Sequence, residues 1–490
     1  MWPFSNRSTP ANAPLSPLYF YNTLTKEKDR FEPLGRGPVR MYNCGPTVYD
    51  RQHIGNLSMF VFTDVLRRAL ELSGYSVKQV INITDVGHLS SDADEGEDKM
   101  SRGLAREGLS LSLENMRKLG ETYAEIFIED LARLNINTAA IEFPRASDYV
   151  DAQIAMIQTL VEKGYAYQID SGVYYDTSRF PDYGALGGID LDGLKEGARV
   201  AAVDGKRHKA DFVLWKRDED LGWESPWGRG FPGWHIECSA MIRRLLGEQI
   251  DIHTGGIEHI PVHHNNEIAQ SEPATGKKPL ARFWLHREHI QLEGGKLAKS
   301  SGNVVYLADI LERGFHPLSL RYLFLGAHYR TASTFSWEAL DASQTAYLRL
   351  RAFVRMYDEG GTMPEPYRLR FDERISDDLD TPGALSVIWE LMRDPAVATE
   401  DIRAGILLAD RIFGLSLDAD DEFADSLYRQ KFGEAVSIDA LPSDVQLLIE
   451  EREQSRASRN FKRADDIRSE LASRGYTIED TAQGPQLFRH

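Results

Sequence analysis

Val39-Arg40-Met41-Tyr42-Asn43-Cys44-Gly45-Pro46-Thr47-Val48-Tyr49-Asp50-Arg51-Gln52-His53-Ile54-Gly55-Asn56 is the stretch on which the fold turns. Val39 to Asn43 reads as a short strand, and a loop carrying Gly45 and Pro46 follows it. Val61, Phe62, Val65, Leu66, Ala69 and Leu72 then recur at helical spacing, and Gly74 sits where a helix end favours glycine. Val77, Val80, Ile81 and Ile83 make the next strand. Strand, loop, helix and strand form the repeating unit of an open parallel sheet. Such sheets bind ligands at the carboxyl ends of their strands, where Cys44 and His53 fall.

Working outward, Leu113–Leu134 has a helical pattern and Asp92–Glu97 is an acidic loop. Val150, Ile154, Ile157 and Val161 keep helix spacing, and Tyr165–Tyr175 alternates like strands. A strand is expected at Gln249–His253, a turn at Gly255-Gly256 and a helix through His263–Ser271. The expected architecture is α/β: a Rossmann-like parallel-sheet domain split by an insertion, then a helical bundle and a small C-terminal α+β unit. Residues 1–17 are read as a disordered tail, 18–140 as the first half of the sheet domain and 141–227 as a connective insertion. Residues 228–281 form the second half, 282–343 a lysine-loop region, 344–443 a helical bundle and 444–490 a terminal unit. Within the bundle, breaks are expected at Gly360-Gly361 and Pro382-Gly383. The terminal unit is read as a helix pair and a hairpin around Gly484.

A chain of 490 residues exceeds one core, and 42% hydrophobic residues are ordinary for a folded protein. No apolar run approaches the roughly 18–20 residues of a membrane helix, so no membrane partner is expected. The net charge of −18 argues against indiscriminate binding to nucleic acid, while leaving room for a local basic patch. Two distant cysteines are a poor disulfide framework and fit a reducing, cytoplasmic location.

Both cysteines lie in segments rich in chemistry. Cys44 opens the loop quoted above, and Cys238 closes Gly233-Trp234-His235-Ile236-Glu237-Cys238. His263 follows, with Glu267 four residues on. Two thiols, an imidazole and a carboxylate make a zinc-type ligand set. At i and i+4, His263 and Glu267 would share one helix face. Elsewhere, His53-Ile54-Gly55-Asn56 places an imidazole and an amide at a helix start. There, free N–H groups and the helix dipole favour phosphate, and Gly55 permits close approach. Lys296-Leu297-Ala298-Lys299-Ser300 sets two lysines three apart in a Gly-flanked loop, suited to charge on a breaking triphosphate. Gly228-Arg229-Gly230-Phe231-Pro232-Gly233 satisfies a dinucleotide pattern without a hydrophobic strand before it. Lys99-Met100-Ser101-Arg102 mimics the lysine loop but reads as a solvated helix start.

His-Ile-Gly-Asn early and Lys-x-x-Lys-Ser late resemble the two signatures of class I aminoacyl-tRNA synthetases. Tyr42 to Asp50, Asp211 to Lys216, Gly233 to Met241 and Asn266 to Ser271 narrow the likeness to the cysteinyl-tRNA synthetase family, from about Leu18 to the C-terminus. The resemblance implies a ligase that activates cysteine with ATP and Mg²⁺ and transfers it to the terminal ribose of tRNA(Cys); a monomer is expected. It implies one Zn²⁺ per chain, held by Cys44, Cys238, His263 and Glu267 and selecting the substrate thiol. His264, beside a ligand, would sit behind the metal or face substrate. ATP would lie among His53, Gly55, Asn56, Gly255, Glu258 and Lys299, with His53, Asn56, Lys296 and Lys299 catalytic. Thr84 and Trp234 match positions lining the amino-acid pocket. The run Arg452, Arg456, Arg459, Phe461, Lys462 and Arg463 mixes cations with an aromatic, and Arg456, Arg459, Phe461, Lys462 and Arg463 are the implied tRNA contacts.

The chain departs from the family pattern at Ala298, at Thr254 and Ile257 near the ribose region, and in the longer, acidic 86–99 stretch. None of these removes an ionisable catalytic group. One alternative shares the catalytic unit: a ligase joining activated cysteine to an amino sugar, as in mycothiol synthesis. Such enzymes lack a final anticodon-type unit, so residues 444–490 argue against it. A zinc-stabilised regulatory paralogue would typically lose His53, Lys296 or Lys299.

Overall fold

The computed structural model describes residues 17–85, 99–188, 205–292, 295–296, 304–481 and 484–489. Lys299, Ala298 and most of the acidic stretch therefore lie outside the described residues, as does the tail up to residue 16.

Five parallel strands form the central sheet: β1 (Val39–Asn43), β2 (Val77–Ile81), β3 (Ile141–Glu142), β4 (Ile250–Gly256) and β5 (Ala281–Arg287). Their spatial order is β3-β2-β1-β4-β5, with the reversal between β1 and β4. That is the doubly wound order, in which ligands sit at the reversal, outside the strands' carboxyl ends. Val39, Met41, Tyr42, Val80, Ile81, Ile250 and Ile252 are fully buried, as befits strands covered on both faces. A polar ladder crosses the same strands: Gln79 donates to Asn43 (2.8 Å), and Asn43 donates to Thr254 (2.6 Å). Buried amides and hydroxyls are tolerable only when so paired.

Helix α1 (Ile54–Leu72) returns the chain from β1 to β2, with fifteen of its nineteen residues buried, and Gly74 follows its cap at φ 90°. The sheet departs from the sequence reading at two points. The insertion begins after β3, because Ile141–Glu142 pairs with Gln79 and Val80 as an edge strand too short to leave a periodic signal. The expected Gly255-Gly256 turn is the end of β4, where both glycines pair with His286 and Arg287. Between β3 and β4 lie a helix (Val150–Glu162) and a four-stranded antiparallel sheet ending at Gly230–Pro232. The Gly-rich string at 228–233 belongs to that sheet. A Cβ on Gly230 would come 2.0 Å from the Lys216 carbonyl oxygen, and one on Gly233 would come 2.2 Å from that of Val213. These glycines serve close strand packing, and Gly233 caps helix α2 (Trp234–Leu245).

The chain divides into two compact units. One spans residues 1–313, 327–336 and 373–380; the other comprises 314–326, 337–372 and 381–490. The second unit is mostly helical and ends in a three-stranded antiparallel sheet. One of its strands, Glu434–Val436, lies in the stretch read as helical, since three residues pairing with 487–489 carry no periodicity of their own. Pro382-Gly383 does not break a helix. It occupies the first turn of Thr381–Arg393, where proline's missing N–H costs nothing.

Candidate active site

Cys44 directly follows β1, and its backbone N–H donates to the Thr254 carbonyl (3.1 Å), pinning it to the reversal of strand order. Gly45 is obligatory beside it, because a Cβ would come 1.6 Å from the Asn82 carbonyl oxygen. Cys238 lies on α2, fully buried. His263 lies in a π turn (Ile260–His264) that feeds helix α3 (Asn265–Thr275), which carries Glu267. π turns are rare and favour functional sites. This one delivers consecutive imidazoles to one carboxylate oxygen, with His263 Nε2 2.9 Å and His264 Nε2 3.9 Å from Glu267 Oε1.

One donor atom each from Cys44, Cys238, His263 and Glu267 lies within 4.8 Å of the others, all four buried. A tetrahedron with bonds of roughly 2.0–2.3 Å has edges of roughly 3.3–3.8 Å, so the set fits one divalent cation of borderline softness. The donors also answer one another directly. Burial alone would raise the Glu267 carboxyl, yet His253 and His263 hold it well below the carboxylate range. Burial opposes charge on His263, but Glu267 and Cys238 lift it to about 10. The thiols part company: burial and the neighbouring Cys238 push Cys44 up, while hydrogen bonds from Cys44 and His263 bring Cys238 down against burial.

Around this set stands a histidine cluster that sequence reasoning missed, apart from His264. His253 Nε2 is 2.8 Å from Glu267 Oε2. His235 Nδ1 meets His263 Nδ1 at 2.8 Å, and His264 Nδ1 meets His286 Nε2 at 2.8 Å. Burial keeps His235, His259, His264 and His286 neutral, His286 down to about 3. Six of the thirteen histidines fall between residues 235 and 286. That density was the available signal.

Trp234 stacks on His263 (centroids 4.2 Å apart, 28° between planes) and is partly exposed, as a pocket wall would be. Thr84 donates to Glu237 Oε2 (2.9 Å), and the buried Glu237 Oε1 has no partner. The helix at Lys99 begins as expected but is not simply solvated, since the Lys99 ammonium lies 6.0 Å from the Trp234 ring centre.

His53 is the N-cap of α1, its Nδ1 accepting from the Asn56 N–H (3.2 Å), which leaves the ring proton of the neutral form on Nε2. Asn56 donates its side-chain amide to Gln52 (2.7 Å). Gly255 abuts the histidines, and a Cβ there would lie 2.6 Å from His259 Nδ1 and 2.7 Å from His264 Cε1. Glu258 sits on the next turn, half-exposed, 3.7 Å from His289 Nδ1. Lys296 pairs its backbone with Gln291. Arg287, also missed, is buried at the end of β5 and drawn down to about 10 by burial. Its Nε donates to Ser58 Oγ (2.9 Å), and Ser58 donates to the Gly55 carbonyl (2.6 Å), bracing the histidine turn.

In the C-terminal helix pair, Ser443–Ala457 and Phe461–Ser473, Arg459, Phe461 and Lys462 are exposed, with Phe461 at 61%. Arg456 is half-exposed, and Arg463 is held by Glu451 (2.7 Å). Arg452, counted with the basic run, is 3% exposed and pairs with Glu453, so it faces the core.

Comparison with known proteins joins these observations. Residues 30–345 match the model of the class I (C) tRNA synthetase catalytic domain, and 439–489 match that of the cysteinyl-tRNA ligase anticodon binding domain. The chain is 45% identical over 478 residues to a protein of Burkholderia lata named Cysteine--tRNA ligase 1, covering 96% of this chain and 97% of that one. It is 40% identical to the Cysteine--tRNA ligase of Treponema denticola, covering 95% and 98%. The fold resembles methionyl-tRNA synthetase from Mycobacterium tuberculosis, solved with methionyl-adenylate: TM-score 0.53, 14% identity, 80% of this chain and 88% of that one.

Proposed function

Because the chain belongs to the cysteine–tRNA ligases of class I, we propose that it activates cysteine with ATP and passes the cysteinyl group to the terminal ribose of tRNA(Cys). The amino-sugar alternative finds no support, since residues 439–489 match an anticodon-binding domain. The observation that carries the reading is the convergence of Cys44, Cys238, His263 and Glu267 at the strand-order reversal.

Cys44, Cys238, His263 and Glu267 would hold zinc, which would supply a centre of borderline softness that favours a thiolate over a hydroxyl. Trp234 and Thr84 bound the amino-acid pocket, and Trp234 holds the His263 ring in plane by stacking. ATP, with Mg²⁺, lies over the start of α1 and the end of β4, toward Gly255 and Glu258. His53 offers its Nε2 proton to a phosphate oxygen, aided by the helix N-terminus. Asn56 orients the turn through Gln52, and Arg287 braces it through Ser58. Lys296 and Lys299 take up charge on the departing pyrophosphate. Catalysis is positioning and charge stabilisation, without a covalent enzyme intermediate. Arg456, Arg459, Phe461, Lys462 and Arg463 hold the tRNA, and the enzyme acts as a cytoplasmic monomer.

ATP–pyrophosphate exchange tests the reading. Exchange should depend on cysteine, ignore serine and proceed without tRNA. Exchange driven equally by serine, or absent until tRNA is added, would overturn it.

A further inference from the structure

The pocket contains more donors than one ion needs. Cys44, His253, His264 and Glu267 form a second set whose ligand atoms also lie within 4.8 Å of one another, all buried. Cys44 Sγ is 3.2 Å from His264 Nε2 and 3.8 Å from Glu267 Oε1. His264 Nε2 is 3.9 Å from Glu267 Oε1, and His253 Nε2 is 2.8 Å from Glu267 Oε2. The separations among Cys44, His264 and the one Glu267 oxygen, 3.2–3.9 Å, are close to the roughly 3.3–3.8 Å edges of a tetrahedral site, while His253 meets the other oxygen of the same carboxylate.

The surroundings are those of ligands rather than of plain core. His264 Nδ1 meets His286 Nε2 (2.8 Å), and His286 Nδ1 meets Thr23 Oγ1 (2.7 Å). This relay orients the His264 ring with Nε2 toward Cys44, as outer partners orient metal-binding imidazoles. His253 is clamped by stacking on Trp284 (4.5 Å, 13°), and its own Nδ1 is buried without a hydrogen-bond partner. A buried imidazole with one nitrogen on a shared carboxylate and the other unsatisfied is costly as filler.

We propose that Cys44, His253, His264 and Glu267 form a second, overlapping position for a divalent cation, occupied when Cys238 or His263 is lost as a ligand. Cys44 and Glu267 belong to both sets, so the pocket holds one four-coordinate ion at a time. The first set has two sulfurs, one nitrogen and one oxygen; the second exchanges a sulfur for a nitrogen and is the harder site. This rests on the reading of the first set as a metal site, and the test separates the two.

The full-length chain, stripped with a chelator, is titrated with Co²⁺ and followed by elemental analysis and visible absorption. The unaltered chain should take one cobalt with the charge-transfer intensity of two thiolates. Cys238→Ala should still take one cobalt, with the intensity of a single thiolate. Adding His264→Gln to Cys238→Ala should weaken cobalt binding about a hundred-fold, whereas His264→Gln alone should change it only a few-fold. The proposal is overturned if Cys238→Ala binds no cobalt, or binds it with an affinity that His264→Gln leaves unchanged. If circular dichroism shows that Cys238→Ala does not fold, His263→Gln takes its place in the same pairing. Absence of any cobalt–thiolate band in the unaltered chain would overturn the reading of the first set.

Discussion

The buried donor pocket and the C-terminal basic hairpin illustrate opposite ways to hold a ligand. In the pocket, every candidate donor is buried and hydrogen-bonded to another, so the geometry exists before anything arrives. On the hairpin, Arg459, Phe461 and Lys462 stand in water, and a pair such as Arg463–Glu451 is the exposed kind that contributes little. The pocket should fail outright when a donor shared by both ligand sets is removed, whereas the hairpin should weaken in proportion to charge removed.

The sharpest test of that contrast is Cys44→Ala, which removes a donor common to both ligand sets. Metal binding should vanish and cysteine-dependent exchange should fall roughly 10⁴-fold, the scale for sites built around a specific bond. tRNA affinity, measured by filter binding, should stay unchanged. Coupled losses would break the comparison. Next in size, Arg287→Lys should lower kcat/KM for ATP about 100-fold by loosening the Ser58–Gly55 brace, with the KM for cysteine unmoved. Steady-state exchange kinetics read both. Gly255→Ala forces a methyl against His259 and His264 and should cost about 1–3 kcal/mol, seen as a lower Tm.

The pH dependence of the metal-free protein sharpens the picture further. His263 is raised from its ordinary 6.5 to about 10, so its contribution is full below 6.5 and is lost as pH rises toward 10. Cys238 is depressed from 9, so its contribution grows with pH until 9 and opposes that loss. Above pH 9 Cys44 adds to the loss, because burial and Cys238 keep its folded thiol protonated where the unfolded one ionises. Stability should then fall with pH by up to about 1.4 kcal/mol per unit for each of the two groups, as thermal melting between pH 8 and 10 would show. The smallest effect belongs to the hairpin. Lys462→Ala should reduce the salt slope of tRNA binding by about 1 and leave exchange untouched. Arg463→Ala should do less, because Glu451 already engages that guanidinium.

The same contrast governs what could be seen in the sequence. α1 was legible because its apolar residues recur at helix spacing and nearly all of it is buried, and β1 and β2 because short apolar-bearing stretches flank it on either side of the loop and Gly74. The four donors were legible because thiols are scarce here and sit in long recognisable motifs. The short edge strands at Ile141–Glu142 and Glu434–Val436 were not, since two or three residues paired by their neighbours carry no period. The π turn was hidden too: His263-His264 reads as ordinary helix until Glu267 gathers both rings. Arg287 and Arg452 look like surface cations, and only the packing around them reveals buried struts.

One modest backbone contact has a mechanical corollary. His53 bridges to Tyr306, and Ile54 donates to the Val305 carbonyl (2.9 Å), just beyond the second lysine. On the near side, Gly295 and Lys296 are zipped to Gln291 and Leu292. The described residues on either side of Lys299 are thus tied down by backbone pairing, Val305 and Tyr306 to the imidazole turn itself. The two signature regions, distant in sequence, are therefore mechanically coupled, so a change that loosens the backbone at Val305 or Tyr306 reaches His53 as well.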